Sequence, residues 1–156
     1  MKRITTLLAI AGLTLGASVT VAAASGAHAA ASAAVVSTRS TSLGTVLVGT
    51  NGHTLYLDNA DKKDKSTCTG SCAAIWPPLT TKGAPKAKGA AKSSALGTIN
   101  RGGGVKQVVY DGHPLYYFAS DSAPGKTTGQ GENGFYVVGT GGKAIIHKPT
   151  SSSPGY

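Results

Sequence analysis

Carboxylates are scarce in this chain: of 156 residues five are Asp, and Glu132 is the single Glu. So few acids leave little for general acid–base chemistry. Aromatic residues make up only 6%, so any core must be organised around a handful of rings. The one methionine is the initiator, and Cys68 and Cys72 are the only cysteines. Seven prolines in an aliphatic, Gly- and Thr-rich composition exclude a long coiled coil. Neither H-E-x-x-H nor G-x-S-x-G occurs. Beyond the N-terminus, no stretch is apolar enough to span a bilayer.

What is present begins with an address. Met1-Lys2-Arg3, an apolar run from Ile4 to about Ala24, and Ala27-His28-Ala29 form the charged, hydrophobic and small-residue parts of a secretory signal peptide, residues 1–29. Thr, Ser and Gly interrupt the apolar run, which makes it a poor membrane anchor. No cysteine lies at the cleavage site to carry a lipid, so neither a transmembrane nor a lipid anchor is expected after cleavage. The full chain carries a formal charge of +9, and loss of Lys2 and Arg3 leaves +7. Such a basic exported protein is attracted to anionic polymers, non-specifically and in a salt-dependent way. Six lysines form two runs, Lys62, Lys63, Lys65 and Lys82, Lys86, Lys88, read as solvated loops.

Along the chain, residues 30–42 read as a flexible Ala/Ser-rich lead-in, 82–94 as a linker and 149–156 as a disordered tail. Between them lies one β domain, 43–148, made of two repeats, 43–81 and 95–148. Leu43-Gly44-Thr45 and Gly52-His53-Thr54-Leu55-Tyr56 recur as Leu96-Gly97-Thr98 and Gly112-His113-Pro114-Leu115-Tyr116. The Gly-His elements are 60 residues apart and the Leu-Gly-Thr elements 53, which predicts a seven-residue insertion in the second copy. Asn51-Gly52 and Asp111-Gly112 are hairpin signals between β-branched segments, and Gly141-Gly142 another. Helix is confined to one turn, Ser71 to Trp76, stopped by Pro77-Pro78. The expected fold is all-β, a small antiparallel sandwich or barrel.

Several blocks now combine: Leu-Gly-Thr, Gly-x-x-Leu-Tyr, Cys-x-Gly-x-Cys-Ala-x-x-Trp-Pro-Pro, Gly-x-Pro-Leu-Tyr-Tyr-Phe-x-x-Asp and Gly-Gln-Gly. From about Ser42 to Ile146 the chain resembles the bacterial secreted-repeat family defined by Tyr-x-[Phe/Trp/Tyr]-x-x-Asp, many of whose members look like lipoproteins. The second copy fits fully with Tyr116, Phe118 and Asp121. The first keeps Tyr56 and Asp61 but has Asp58 in place of the aromatic residue. The resemblance implies an exported β-repeat domain and no established activity. On a strand, Tyr116 and Phe118 share a face, and burying two such rings contributes roughly 1.5–3 kcal/mol each. Asp121 falls just past the strand, where it can accept backbone N–H groups of the following loop. These motif residues are read as structural.

Cys68 and Cys72, an even pair in an exported chain, read as a disulfide that contributes about 2 kcal/mol. The alternative is a copper-binding or thiol-redox envelope protein, with His53 and His113 joining the reduced Cys68 and Cys72. Asp58, Asp61 and Asp64 are crowded by lysines and lack a bidentate Glu, so calcium is a poor fit. Gly129 to Gly134 satisfies G-x-G-x-x-G but precedes strand-like residues, against a dinucleotide site. The resulting expectation is a secreted, non-enzymatic β-repeat domain without a cofactor. Its expected partners are anionic cell-envelope polymers or another exported protein, with no specific nucleic acid.

Overall fold

The computed structural model describes residues 32–147; the expected signal peptide and the tail lie outside them. Short β-rich segments punctuated by glycine turns form several mostly antiparallel sheets, packed as a sandwich and not closed into a barrel. β1 (Val35–Thr41) and β2 (Gly44–Val48) make a hairpin with Thr38 opposite Leu47. β6 (Leu96–Asn100) and β7 (Lys106–Tyr110) make its counterpart, with Thr98 opposite Val108. Between β7 and β8 (His113–Pro114), Asp111 (φ 51) and Gly112 (φ 80) are both left-handed, as a two-residue type I′ turn requires. In the first copy only Gly52 is left-handed there (φ 79), and five residues separate the paired Val48 and Thr54. Four separate Val109 and Pro114.

The two copies are interlocked through their backbones. Leu47 N–H donates to Val138 O (2.8 Å), Val138 N–H to Leu55 O (3.0 Å), and Leu55 N–H to Leu47 O (2.9 Å), closing a ring of three bonds. The second copy repeats the ring: Val108 N–H to Leu79 O (2.8 Å), Leu79 N–H to Leu115 O (2.9 Å), and Leu115 N–H to Val108 O (3.0 Å). In each ring one member comes from the other copy. Correspondingly, β9 (Phe135–Val137) pairs with β3 (Tyr56–Asp58) of the first copy, and β4 (Thr80–Thr81) pairs with β7 of the second. The copies thus exchange their last strands. Side chains of β3 alternate between two cores. Leu55 and Leu57 join Val36, Leu47, Leu79, Val108, Leu115 and Val138 on one side. Tyr56 joins Trp76, Tyr116, Phe135 and Val137 on the other.

Three sequence expectations need correction. The supposed lead-in 30–42 contains β1, and its Ala34 and Val36 are buried in the core. Its Ala- and Ser-rich composition concealed a strand in which the β-branched Val35, Val36, Thr38 and Thr41 favour extended backbone. The supposed linker 82–94 contains β5 (Lys86–Ala87), which runs parallel to β1. Lys86 N–H donates to Ala34 O (2.8 Å) and Lys88 N–H to Val36 O (2.9 Å), which satisfies the edge of β1. Lastly, the Leu-Gly-Thr elements are not equivalent. Leu96-Gly97-Thr98 lies on β6, the twin of β1, whereas Leu43-Gly44-Thr45 spans the β1–β2 turn and the start of β2. No seven-residue insertion exists. Three residues between the bonded Arg101 and Val105, against two between Thr41 and Gly44, are offset by the shorter turn that follows.

Because each ring borrows a strand, neither copy is complete alone. Fragments 32–94 and 95–147 are each expected to give a largely unfolded circular-dichroism spectrum, and to regain β signal when mixed. Cooperative thermal unfolding of either fragment by itself would contradict the exchange.

Candidate functional site

The centre of the molecule is a near-symmetric meeting of the two motif tyrosines. Tyr56 and Tyr116 pair directly, each N–H donating to the other's carbonyl at 2.9 Å. Both are fully buried. Their hydroxyls then cross: Tyr56 Oη donates to Asp121 Oδ2 (2.7 Å), and Tyr116 Oη to Asp61 Oδ2 (2.6 Å). Each copy's tyrosine is therefore held by the other copy's aspartate. The remaining carboxylate oxygens organise their own loops. Asp121 Oδ1 accepts the Thr128 N–H (2.9 Å) and hydroxyl (2.6 Å), and Asp61 Oδ1 accepts the Thr67 N–H (2.6 Å) and hydroxyl (2.9 Å).

The environment keeps both phenols protonated. Burial pushes Tyr56 and Tyr116 well above the usual 10, and the hydrogen bonds to Asp121 and Asp61 push in the same direction. A secondary network braces the Tyr116 side. Arg101 donates to Ser66 Oγ (2.5 Å), Gln107 Oε1 (2.7 Å) and the Cys68 carbonyl, while the buried Gln107 Nε2 donates to Leu115 O (2.9 Å).

Around the tyrosines lies a ladder of rings. Trp76 and Phe135 occupy equivalent places in the two copies and stack with centroids 4.0 Å apart and planes 3° from parallel. Tyr56 meets Trp76 edge-on at 5.2 Å, and Tyr116 meets Phe135 edge-on at 5.3 Å. Phe118 extends the ladder against Trp76 at 4.5 Å. Gly129 lies beneath, where a Cβ would come within 2.7 Å of Trp76 Cη2 and 2.8 Å of Phe118 Cγ. Only glycine fits there without displacing rings.

Symmetry breaks at Asp58. It lies directly opposite Phe135 on the β3–β9 pair, as Phe118 lies beside Trp76, yet it carries a carboxylate. A pocket of about 290 Å³ opens beside it, lined among others by Ile75, Cys72, Trp76, Phe135 and Asn133. Asp58 Oδ1 accepts the Ala60 N–H (2.8 Å). Burial pushes its carboxyl above the ordinary 3.8; the Ala60 bond opposes that shift, and Asp61 adds to it.

The cysteines form the expected bridge, Cys68–Cys72, with Cα atoms 5.3 Å apart. It staples the entry of helix α1 (Ser71–Ile75), whose end delivers Trp76 to the ladder before Pro77 and Pro78 stop it. The copper or thiol alternative is therefore not assembled. Both sulfurs are bonded to each other, and among the described residues no three His, Cys, Asp or Glu side chains converge. His53 and His113 are half-buried in the two equivalent turns. Gly129 to Gly134 forms the loop before β9, a strand where a dinucleotide fingerprint requires a helix.

Both lysine runs are exposed, but only the first lies at the β7–β8 turn; the second lies along β5, bonded to β1. Asp64 N–H donates to Gly112 O (2.7 Å), and Lys92 N–H, just past the second run, donates to Tyr110 Oη (2.8 Å). Composition revealed the runs; what holds each of them depends on contacts distant in sequence.

With this geometry in view, comparison with known proteins adds one finding. A family model described as a secreted repeat of unknown function matches twice, over residues 37–80 and 97–138. The chain belongs to that family. Its two matches begin 60 positions apart, on β1 and β6, the strands that the backbone pairing makes equivalent. No curated protein and no solved structure matches the chain.

Two outcomes follow from the crossed pairs of this family member. Tyr56→Phe leaves the buried Asp121 without its phenol donor and is expected to cost about 1.5–3 kcal/mol in denaturant unfolding. A cost indistinguishable from zero would show that the bond is replaceable. Because the folded-state tyrosines hold their protons more tightly than the unfolded chain does, stability is full below the unfolded value of 10 and falls as pH rises above it. Absorbance near 295 nm (about, for a phenolate) should therefore show these two phenols ionising only together with loss of β structure.

Proposed function

We propose that this protein is a secreted, non-enzymatic binding domain that associates with anionic polymers of the cell envelope. The observation that carries the reading is the exposure of two lysine runs held to an interlocked scaffold, the first at the β7–β8 turn and the second on β5 beside β1. Clustered cations on a fixed surface raise the local concentration of a polyanion more than the same charges scattered on mobile loops. The motif Tyr–Asp pairs support the non-enzymatic part, since their hydrogen-bonding groups are satisfied by one another and by Thr67 and Thr128. Another exported protein with an acidic surface would use the same cations.

Co-sedimentation with isolated cell walls tests the reading. Binding is expected at ~50 mM salt and is expected to fall by about tenfold at ~500 mM, where charges are screened beyond a few ångströms. Replacing Lys62, Lys63 and Lys65 by Gln should weaken it with no change in melting temperature. Salt-independent binding, or unaltered binding by the triple variant, would rule out the electrostatic mechanism.

A further inference from the structure

The geometry points to the pocket beside Asp58 as a binding site for a guanidinium group, a planar cation that pairs with the carboxylate beside the aromatic ladder. The argument rests on the broken symmetry of that ladder. At the end nearer the second copy's motif, Phe118 packs against Trp76. At the other end the equivalent neighbour of Phe135 is Asp58, so the ring that would complete the series is missing and a carboxylate stands in its register. Directly opposed residues on an antiparallel pair project to the same face, with their Cβ atoms about 5 Å apart. The space left is the pocket of about 290 Å³.

Its chemistry is specific. One wall supplies apolar surface from Ile75, which is 47% exposed, and from the Cys68–Cys72 bridge through Cys72. Trp76 and Phe135 line the pocket from within their own stack and are themselves buried. Asp58 offers oxygen lone pairs beyond the one engaged by Ala60, and among the described residues no hydrogen bond to its Oδ2 occurs. A guanidinium combines a flat, weakly hydrated face suited to apolar surface such as that of Ile75 with a fork of donors that matches a carboxylate, whereas an ammonium is compact and strongly hydrated. The two arginines among the described residues are placed elsewhere, Arg101 against Ser66, Gln107 and the Cys68 carbonyl, and Arg39 beside Gly52 and Gly125. The occupant is therefore supplied from outside, either as a free small guanidinium compound or as an arginine of another polypeptide.

Trp76 is the single tryptophan, so its indole N–H gives one reporter peak in a proton–nitrogen NMR spectrum. Ethylguanidinium titrated into the full mature protein is expected to move that peak saturably, with a dissociation constant on the order of 1 mM. Ethylammonium should bind about tenfold more weakly. Asp58→Asn removes the charge, and Asp58→Phe also completes the ladder; each should weaken ethylguanidinium binding by about tenfold or more. A capped arginine pentapeptide distinguishes the sources. Tighter binding than ethylguanidinium identifies a polypeptide arginine, and equal or weaker binding identifies a free small cation. No saturable shift up to ~50 mM, ethylammonium binding as well as ethylguanidinium, or wild-type titration by either variant would overturn the assignment. Should Asp58→Phe fail to fold, Asp58→Asn decides alone.

Discussion

The architecture depends on an exchange of hydrogen bonds between two phenols and two carboxylates. A carboxylate withdrawn from water is tolerated only where its lone pairs are filled, and Asp121 is buried and Asp61 half-buried. Here each aspartate obtains one donor from the opposite copy's tyrosine and two from a threonine of its own loop. This arrangement makes the repeat motif a device for joining copies and not for stabilising one. The tyrosine and aspartate of a single copy, five residues apart, do not bond to each other. Two copies are needed for either to be satisfied.

Much of this was readable in the residues, though the partnerships were not. Alternation of apolar residues, Asn51-Gly52, Asp111-Gly112 and the double proline after Trp76 all indicated short strands, tight turns and one helical turn. The even cysteine pair indicated the bridge. What local sequence could not disclose was which aspartate each tyrosine meets, because loop closure places partners 65 and 55 positions apart. Likewise, a three-residue likeness between Leu43-Gly44-Thr45 and Leu96-Gly97-Thr98 suggested an alignment that backbone pairing rejects. The Ala-rich stretches were misread for a related reason. Small side chains carry a weak periodic signal, and the pairing of β1 with β5 joins residues 51 positions apart, Val35 and Lys86.

The departure at Asp58 was visible as a mismatch to the motif, but its consequence was not. Only the β3–β9 register shows that this residue stands where a ring would otherwise lengthen the ladder. In a protein with so few carboxylates, placing one against aromatic surface costs stability that a phenylalanine would not cost. Near-symmetric repeats make such sites easy to recognise, since the intact copy shows what the altered copy has lost.

The ring of Leu47, Leu55 and Val138 also has a consequence for biogenesis. A polypeptide delivered N-terminus first cannot close that ring until Val138 has arrived, close to the end of the described domain. Until then Leu47 and Leu55 lack their third partner, and the exchanged strands cannot lock. Locking of the exchanged strands is therefore deferred until nearly all of the described domain is free to fold.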